Sequence, residues 1–230
     1  MTPEEMIQLV VSGSEDDYSQ ELNSAFHNGF PIEHLKPLLT SKNIEIQGLG
    51  SHLAYELGPK VRPLLEEIVP LLESERPQIR SDAIIILLDC ATRFDAEPLG
   101  KVFCLLDDPD PFVQRGAMRF VQHCERAELN VGINAAARLC PGTVFEDFPR
   151  FLGKDFYNYR PISRAILRQL LLHESVVAKR LAVGLASRPR QVVDKTFLDL
   201  VSEATEEECQ NVLLWARNPT RYSGTIARYL

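Results

Sequence analysis

Five histidines, five cysteines and one turn with three aspartates are the groups in this sequence best suited to chemistry. His27, His34, His52, His123 and His173 lie in different segments. None stands in an HExxH, and the chain has no GxSxG and no phosphate-binding glycine loop, so no histidine has a general acid, base or nucleophile at a diagnostic offset. His52 and His123 are read as surface residues of helices. Asp107, Asp108 and Asp110 share a turn. Three carboxylates there can attract a cation, but a calcium loop also needs a glycine bend and a closing bidentate glutamate, and both are missing. Capping is the simpler role, with Asp110 accepting from free amides just after Pro111 starts a helix. The cysteines form no CxxC pair. Cys90 and Cys124 are 34 residues apart, at a place where Leu57 stands one step earlier. A position that takes Leu, Cys and Cys is a buried apolar slot. The cysteines are expected to be free structural thiols. No catalytic residue, metal ligand or cofactor is assigned.

The elements that must position any site follow from a repeat. Leu-Leu pairs recur at Leu38-Leu39, Leu71-Leu72 and Leu105-Leu106, in steps of 33 and 34 residues. Each is followed by Ile46, Ile79 or Val113, then by Gly50, Ala83 or Ala117, then by Leu53, Ile86 or Phe120. In the third copy, Val113, Gly116, Ala117, Phe120, Val121 and Cys124 form a stripe of helical period. A fixed period of this length marks stacked helical units. The predicted helices are 1–12, with Thr2 able to cap it and Pro3 in its first turn, and 16–28, stopped by Gly29 and Pro31. Each repeat then gives a pair: 33–40 with 44–57, 61–73 with 78–91, and 97–106 with 111–124. The small residues allow close helix packing. Beyond Cys124 the register fades. Residues 130–140 are helical, Pro141 to Ser163 is dense in aromatics, and the pattern returns at Leu170, Ala178 and Ala182. Leu170 lies about two repeat lengths after Leu105, which predicts a degenerate repeat between them. Residues 192–204 and 205–217 make a last pair, with a capping box at Thr205-Glu206-Glu207-Glu208.

Composition sets the class. The chain has 230 residues, 45% hydrophobic and 25% charged, as a folded domain requires. Its longest apolar run, Ala83 to Leu88, is far short of the roughly 20 residues of a membrane span. MTPEEM lacks the basic-then-apolar order of a signal peptide, so a cytoplasmic protein without membrane contact is expected. Residues 1–149 hold 12 basic and 24 acidic side chains, and residues 150–230 hold 13 and 8. A field of two signs can orient a partner before contact.

LLDDPDPFVQRGAMRFV, Leu105 to Val121, resembles a HEAT repeat, and LLESERPQIRSDAIIIL, Leu71 to Leu87, is similar. The resemblance covers about 35–124. It implies an all-α, HEAT- or armadillo-like α-solenoid of about five to six stacked antiparallel helix pairs. The chain is then a single helical-repeat domain, with a cap at 1–31, regular repeats at 32–124, a degenerate repeat with an aromatic insertion at 125–163, and C-terminal repeats and tail at 164–230. In that family a turn Asp and a basic residue early in the second helix can form a ladder between repeats. Asp108 and Arg80 match these places. Ser41, Ser74, Gln47 and Gln114 do not, so most of the ladder is expected to be missing.

In HEAT-like stacks the second helices line the concave face. Subtracting the core stripe leaves Tyr55, Ile85, Phe112, Arg115, Met118 and Arg119 there. The aromatic segment adds Phe156, Tyr157, Tyr159 and Arg160, followed by Arg164. Aromatic and arginine side chains in surplus on one face suit a protein partner. The expectation is a non-enzymatic protein-binding module. The resemblance extends this to an inhibitor, such as a bacterial immunity protein neutralising a toxin or effector. The alternative is a nucleic-acid-binding or HEAT-like DNA glycosylase-type protein using the basic 150–195 region, which has ten basic and three acidic residues. HEAT-like chromophore lyases are a third, weaker analogy.

Overall fold

The computed structural model describes residues 1–14, 16–148, 162–189, 191 and 193–217. Among them every regular element is a helix, and the helices pack on one another. None is long and apolar enough to cross a membrane. The chain divides into two compact units, 1–94 and 95–230.

In the first unit, α1 (Pro3–Val11) and α2 (Ser19–His27) precede a short α3 (Lys36–Leu39) and a long α4 (Ile44–Leu57). Thr2 and Glu5 form a reciprocal capping box at α1, with the Glu5 amide donating to Thr2 Oγ1 at 3.2 Å. Asn43 caps α4 by accepting from the Glu45 amide at 2.9 Å. Then come α5 (Leu65–Ile68) and α6 (Pro77–Cys90). The segments expected as continuous first helices, 33–40 and 61–73, are instead alternating 3-10 and α turns. Pro63 and Pro70 lack the amide donor that an α-helix interior requires, and the 3-10 stretches Gly58–Leu64 and Val69–Glu73 contain them. The small residue at Gly50 does what its place predicted. A Cβ there would stand 2.8 Å from the backbone and Cβ of Leu38.

The second unit holds α7 (Ala96–Cys104), α8 (Pro111–His123), α9 (Arg126–Leu139), α10 (Arg164–Leu171), α11 (Val176–Ala186), α12 (Lys195–Ala204) and α13 (Glu207–Arg217). One cap differs from expectation. Glu125 and Glu128 make a capping box that starts α9 four residues before the predicted helix. Thr205 ends α12, its hydroxyl donating to the Val201 carbonyl, and the Glu208 side chain of the capping box expected there lies outside the described residues. The helices α8 and α11 touch directly. A Cβ on Gly184 would lie 2.8 Å from Val121 Cβ and 2.9 Å from the Met118 carbonyl. The 65 residues from Leu105 to Leu170 therefore put no helix between this pair.

The turns that join paired helices are held, although the Asp–Arg ladder is incomplete. Each long second helix carries a hydrogen-bonding side chain at its fourth position. Gln47 Nε2 donates to the Leu39 carbonyl at 3.4 Å, Arg80 to Ser74 O at 2.8 Å, and Gln114 to Asp108 O at 2.6 Å. Ser74 Oγ also donates to Gln47 Oε1 at 3.2 Å, a rung between two consecutive repeats.

Candidate functional site

The helix that carries most of the expected surface is α8. Asp110 caps it as predicted, accepting from the Phe112 amide at 2.8 Å, and Pro111 starts it with a φ already suited to a helix. Asp108 is buried and accepts from the Asp110 amide at 2.8 Å, so these two aspartates build the turn. Along α8, Val113, Ala117, Phe120 and Val121 face inward and are buried. Phe112, Arg115 and Arg119, spaced three and four apart, share the other side. Phe112 is 40% exposed, and the Arg115 guanidinium lies over its ring, 5.3 Å from the centroid. Arg115 and Arg119 are half-buried. The Arg119 charge reaches His123, whose pKa is pushed below its ordinary 6.5, first by partial desolvation and then by the cations Arg119 and Arg188.

Met118 does not belong to this surface. It is fully buried, with Cys209 Sγ 3.8 Å from its sulfur. Subtracting one core stripe assumes one covered side, but α8 is covered by both α11 and α13. Tyr55 and Ile85 are half-buried on α4 and α6 of the first unit, and the Tyr55 ring stacks beside His52 with centroids 6.3 Å apart. Arg164 is exposed at the start of α10 and pairs with Asp194 at 3.0 Å. Phe156, Tyr157, Tyr159 and Arg160 lie outside the described residues.

Two arginines of the basic 150–195 region are engaged inside the second unit. Arg180, only 5% exposed, donates to the Leu106 carbonyl at 2.6 Å and to both Glu206 carboxylate oxygens at 2.9 Å. Arg188 closes the C-terminus of α8, donating to the carbonyls of Val121 at 2.6 Å and Cys124 at 2.8 Å. Neither role was readable from the sequence, because the partners lie 74, 67 and 64 residues away. Burial pushes the Cys124 thiol beside Arg188 up to about 12.

The expectation of free thiols is corrected at one pair. Cys104, ending α7, and Cys140, capping α9, form a disulfide with Cα atoms 6.6 Å apart. Cys90, Cys124 and Cys209 are buried and form no disulfide.

Two further places combine polar groups. Asp82, buried between α4 and α6, accepts from Gln78 Nε2 at 2.8 Å, with Ser51 Oγ 3.1 Å away. Burial raises its carboxyl, against the lowering effect of those hydrogen bonds. Ser51 is itself fully buried, and His52 is exposed beside Tyr55, so the three do not form a relay to a reactive hydroxyl. An open cleft of about 340 Å³ is lined by Val176, Lys179, Glu203, Thr205, Glu206 and Cys209. Among the described residues no group of three or more His, Cys, Asp or Glu is placed to hold a metal ion.

No protein-family model and no curated protein matches the chain. Among solved structures, it is similar to an engineered protein determined by the Northeast Structural Genomics Consortium. The identity is 17%, with 96% of this chain and 97% of that chain covered, at a TM-score of 0.46. That likeness carries no argument. What the described residues define is the class, an all-helical protein of packed helices.

Proposed function

We propose that this chain is a HEAT-like α-solenoid whose work is to bind another protein. The observation that carries the reading is the outer side of α8, where Phe112 is exposed with the Arg115 guanidinium over its ring, beside Arg119. An aromatic ring with a stacked arginine presents apolar area and directed donors at a small entropy cost, the combination enriched in interface hot spots. Tyr55 and Ile85, half-buried in the first unit, add a second contact region. The partner fitting residues 1–94, with 7 basic and 15 acidic side chains, has a basic surface. A toxin or effector neutralised in a bacterial cell is the concrete form of this partner. The nucleic-acid reading is weakened because Arg180 and Arg188 donate to groups of the protein itself.

The test compares captures from the native cell, with nuclease-treated lysate, for wild type and for Phe112→Ala with Arg115→Ala. The expected result is one reproducible basic protein retained by wild type and lost by the variant, with unchanged circular dichroism. Equal capture by both, or a partner recovered only without nuclease, would sink the reading.

A further inference from the structure

We propose that the groove between α4 and α6 receives an arginine side chain of the basic partner, with Asp89 as its counter-ion. This rests on the protein-binding reading above and names what the first unit recognises.

The register of the two helices is the first observation. Three contacts join residues 31 apart, in the same order along both helices and their caps. Arg76 Nη1 donates to Glu45 Oε2 at 2.9 Å, Ser51 Oγ lies 3.1 Å from Asp82 Oδ2, and a Cβ on Gly58 would lie 3.5 Å from Asp89 Oδ2. The helices therefore run parallel, with a carboxylate at each contact. Two of the three carboxylates are answered within the chain. Glu45 has the Arg76 guanidinium, and Asp82 is buried with the Gln78 amide and the Ser51 hydroxyl. Asp89 is exposed, with no hydrogen bond or ion pair among the described residues. Arg62 donates to the carbonyl of the next residue, Cys90, at 3.1 Å.

The second observation is the setting of that carboxylate. Gly58 is the C-cap of α4, so Asp89 meets the negative end of the α4 dipole. Partial burial raises its pKa, and no neighbouring cation lowers it. A bound cation relieves both the repulsion and the desolvation. One carboxylate is too few ligands for a metal ion, whereas a guanidinium can pair with a single carboxylate through two parallel bonds. The groove suits the rest of an arginine as well. Tyr55 stands three residues before Gly58 and Ile85 four before Asp89, about 4.5 and 6 Å along the helix axes. Both are half-buried. They offer an aromatic ring to the guanidinium plane and apolar surface to the methylene stem. Lysine has a compact head that cannot stack in this way. The excess of acidic over basic side chains in residues 1–94, 15 against 7, draws a cationic partner towards this unit.

The experiment titrates the full-length, isotope-labelled chain with N-acetyl-arginine methylamide at low ionic strength and follows backbone amide shifts by NMR. The citrulline analogue, a neutral isostere, is the control. The expected result is a set of shifts centred on Gly58, Ile85 and Asp89, about threefold or more larger with arginine than with citrulline. Asp89→Asn reduces the arginine shifts to the citrulline level. It melts no lower than wild type, because it removes an anion from the end of α4. Three results overturn the proposal: equal shifts with both probes, arginine shifts that persist in Asp89→Asn, and an Asp89→Asn variant that melts lower, which would assign the carboxylate to the fold. A basic protein captured equally by wild type and Asp89→Asn also overturns it and leaves the protein-binding reading intact. A positive titration with no captured protein does the reverse: the arginine site stands and the protein-binding reading fails.

Discussion

Replacing Arg180 by methionine tests whether a buried cation holds the second unit together. The side chain is 6% exposed and donates to Leu106 O and to both oxygens of Glu206. Its Nε has no hydrogen-bond partner. Methionine keeps much of the volume and removes every donor. The Leu106 carbonyl then loses a charged donor, a change that costs about 1.5–3 kcal/mol. Glu206 contributes less, because at 48% exposure it regains water. In the other direction, methionine relieves the desolvated charge and the unpaired Nε. The carbonyl term outweighs this relief, because Arg180 has partners at both ends of its fork, and the net expectation is a loss of about 2 kcal/mol.

The assay is urea unfolding followed by fluorescence of Trp215, the sole tryptophan, which lies in the same unit. With a slope of about 2 kcal/mol/M, the midpoint falls by about 1 M. Glu206→Gln, which keeps one acceptor, costs less than about 1 kcal/mol. A methionine variant as stable as wild type refutes the reasoning, since the guanidinium would then contribute nothing net. Equal losses for Arg180→Met and Glu206→Gln refute it differently, by moving the weight from the carbonyl to the ion pair.

Three further outcomes follow from the same geometry. Asp82→Asn keeps the acceptor for Gln78 and removes a carboxyl whose pKa burial raises above 3.8. A raised carboxyl stabilises the fold below its unfolded pKa and loses that contribution as pH rises, so the variant gains on wild type at pH 7 and not near pH 4; a gap independent of pH in urea midpoints contradicts this. His123 titrates below 6.5 in the fold, so stability is lost as pH falls below that value, and His123→Gln flattens the acid side of the midpoint profile. Gly50→Ala destabilises the first unit by about 1–2 kcal/mol despite alanine's better helix propensity, because the new Cβ meets Leu38 backbone at 2.8 Å; thermal melting without loss would show that the backbone yields cheaply.

The parts of the fold that the sequence made legible are those decided within a few residues. Asp110 and Pro111 mark the start of α8, Thr2 and Glu5 mark α1, and Gly50, Ala83 and Ala117 mark close packing, because each rule acts locally. Prolines 63 and 70 were visible but outweighed by the leucine pattern, and they turned a predicted helix into 3-10 turns. What was hidden depends on distant partners. Arg180 and Arg188 look like surface cations until their acceptors are seen, and Met118 looks exposed until α13 covers it. Cys104 and Cys140 are 36 residues apart, about one repeat, yet no short motif marks a bond between the ends of neighbouring helices.

The turn-closing residues show how turns without the full Asp–Arg ladder are held. An Asp–Arg ladder joins two charged groups, and each must be desolvated to meet the other. At the fourth position of α4 and α8, Gln47 and Gln114 instead offer an amide to a turn carbonyl. A neutral amide loses little hydration and still satisfies an acceptor that the turn partly buries. Gln47 also uses its oxygen to accept from Ser74, so one side chain closes its own turn and reaches the next repeat. Arg80 keeps the charged form, and its guanidinium also donates to the turn carbonyls of Ser74 and Glu75. The function conserved across these three positions is therefore donation to the turn backbone. Charge is one way of supplying it, and a repeat lacking the Asp–Arg pair can keep the same geometry through an amide.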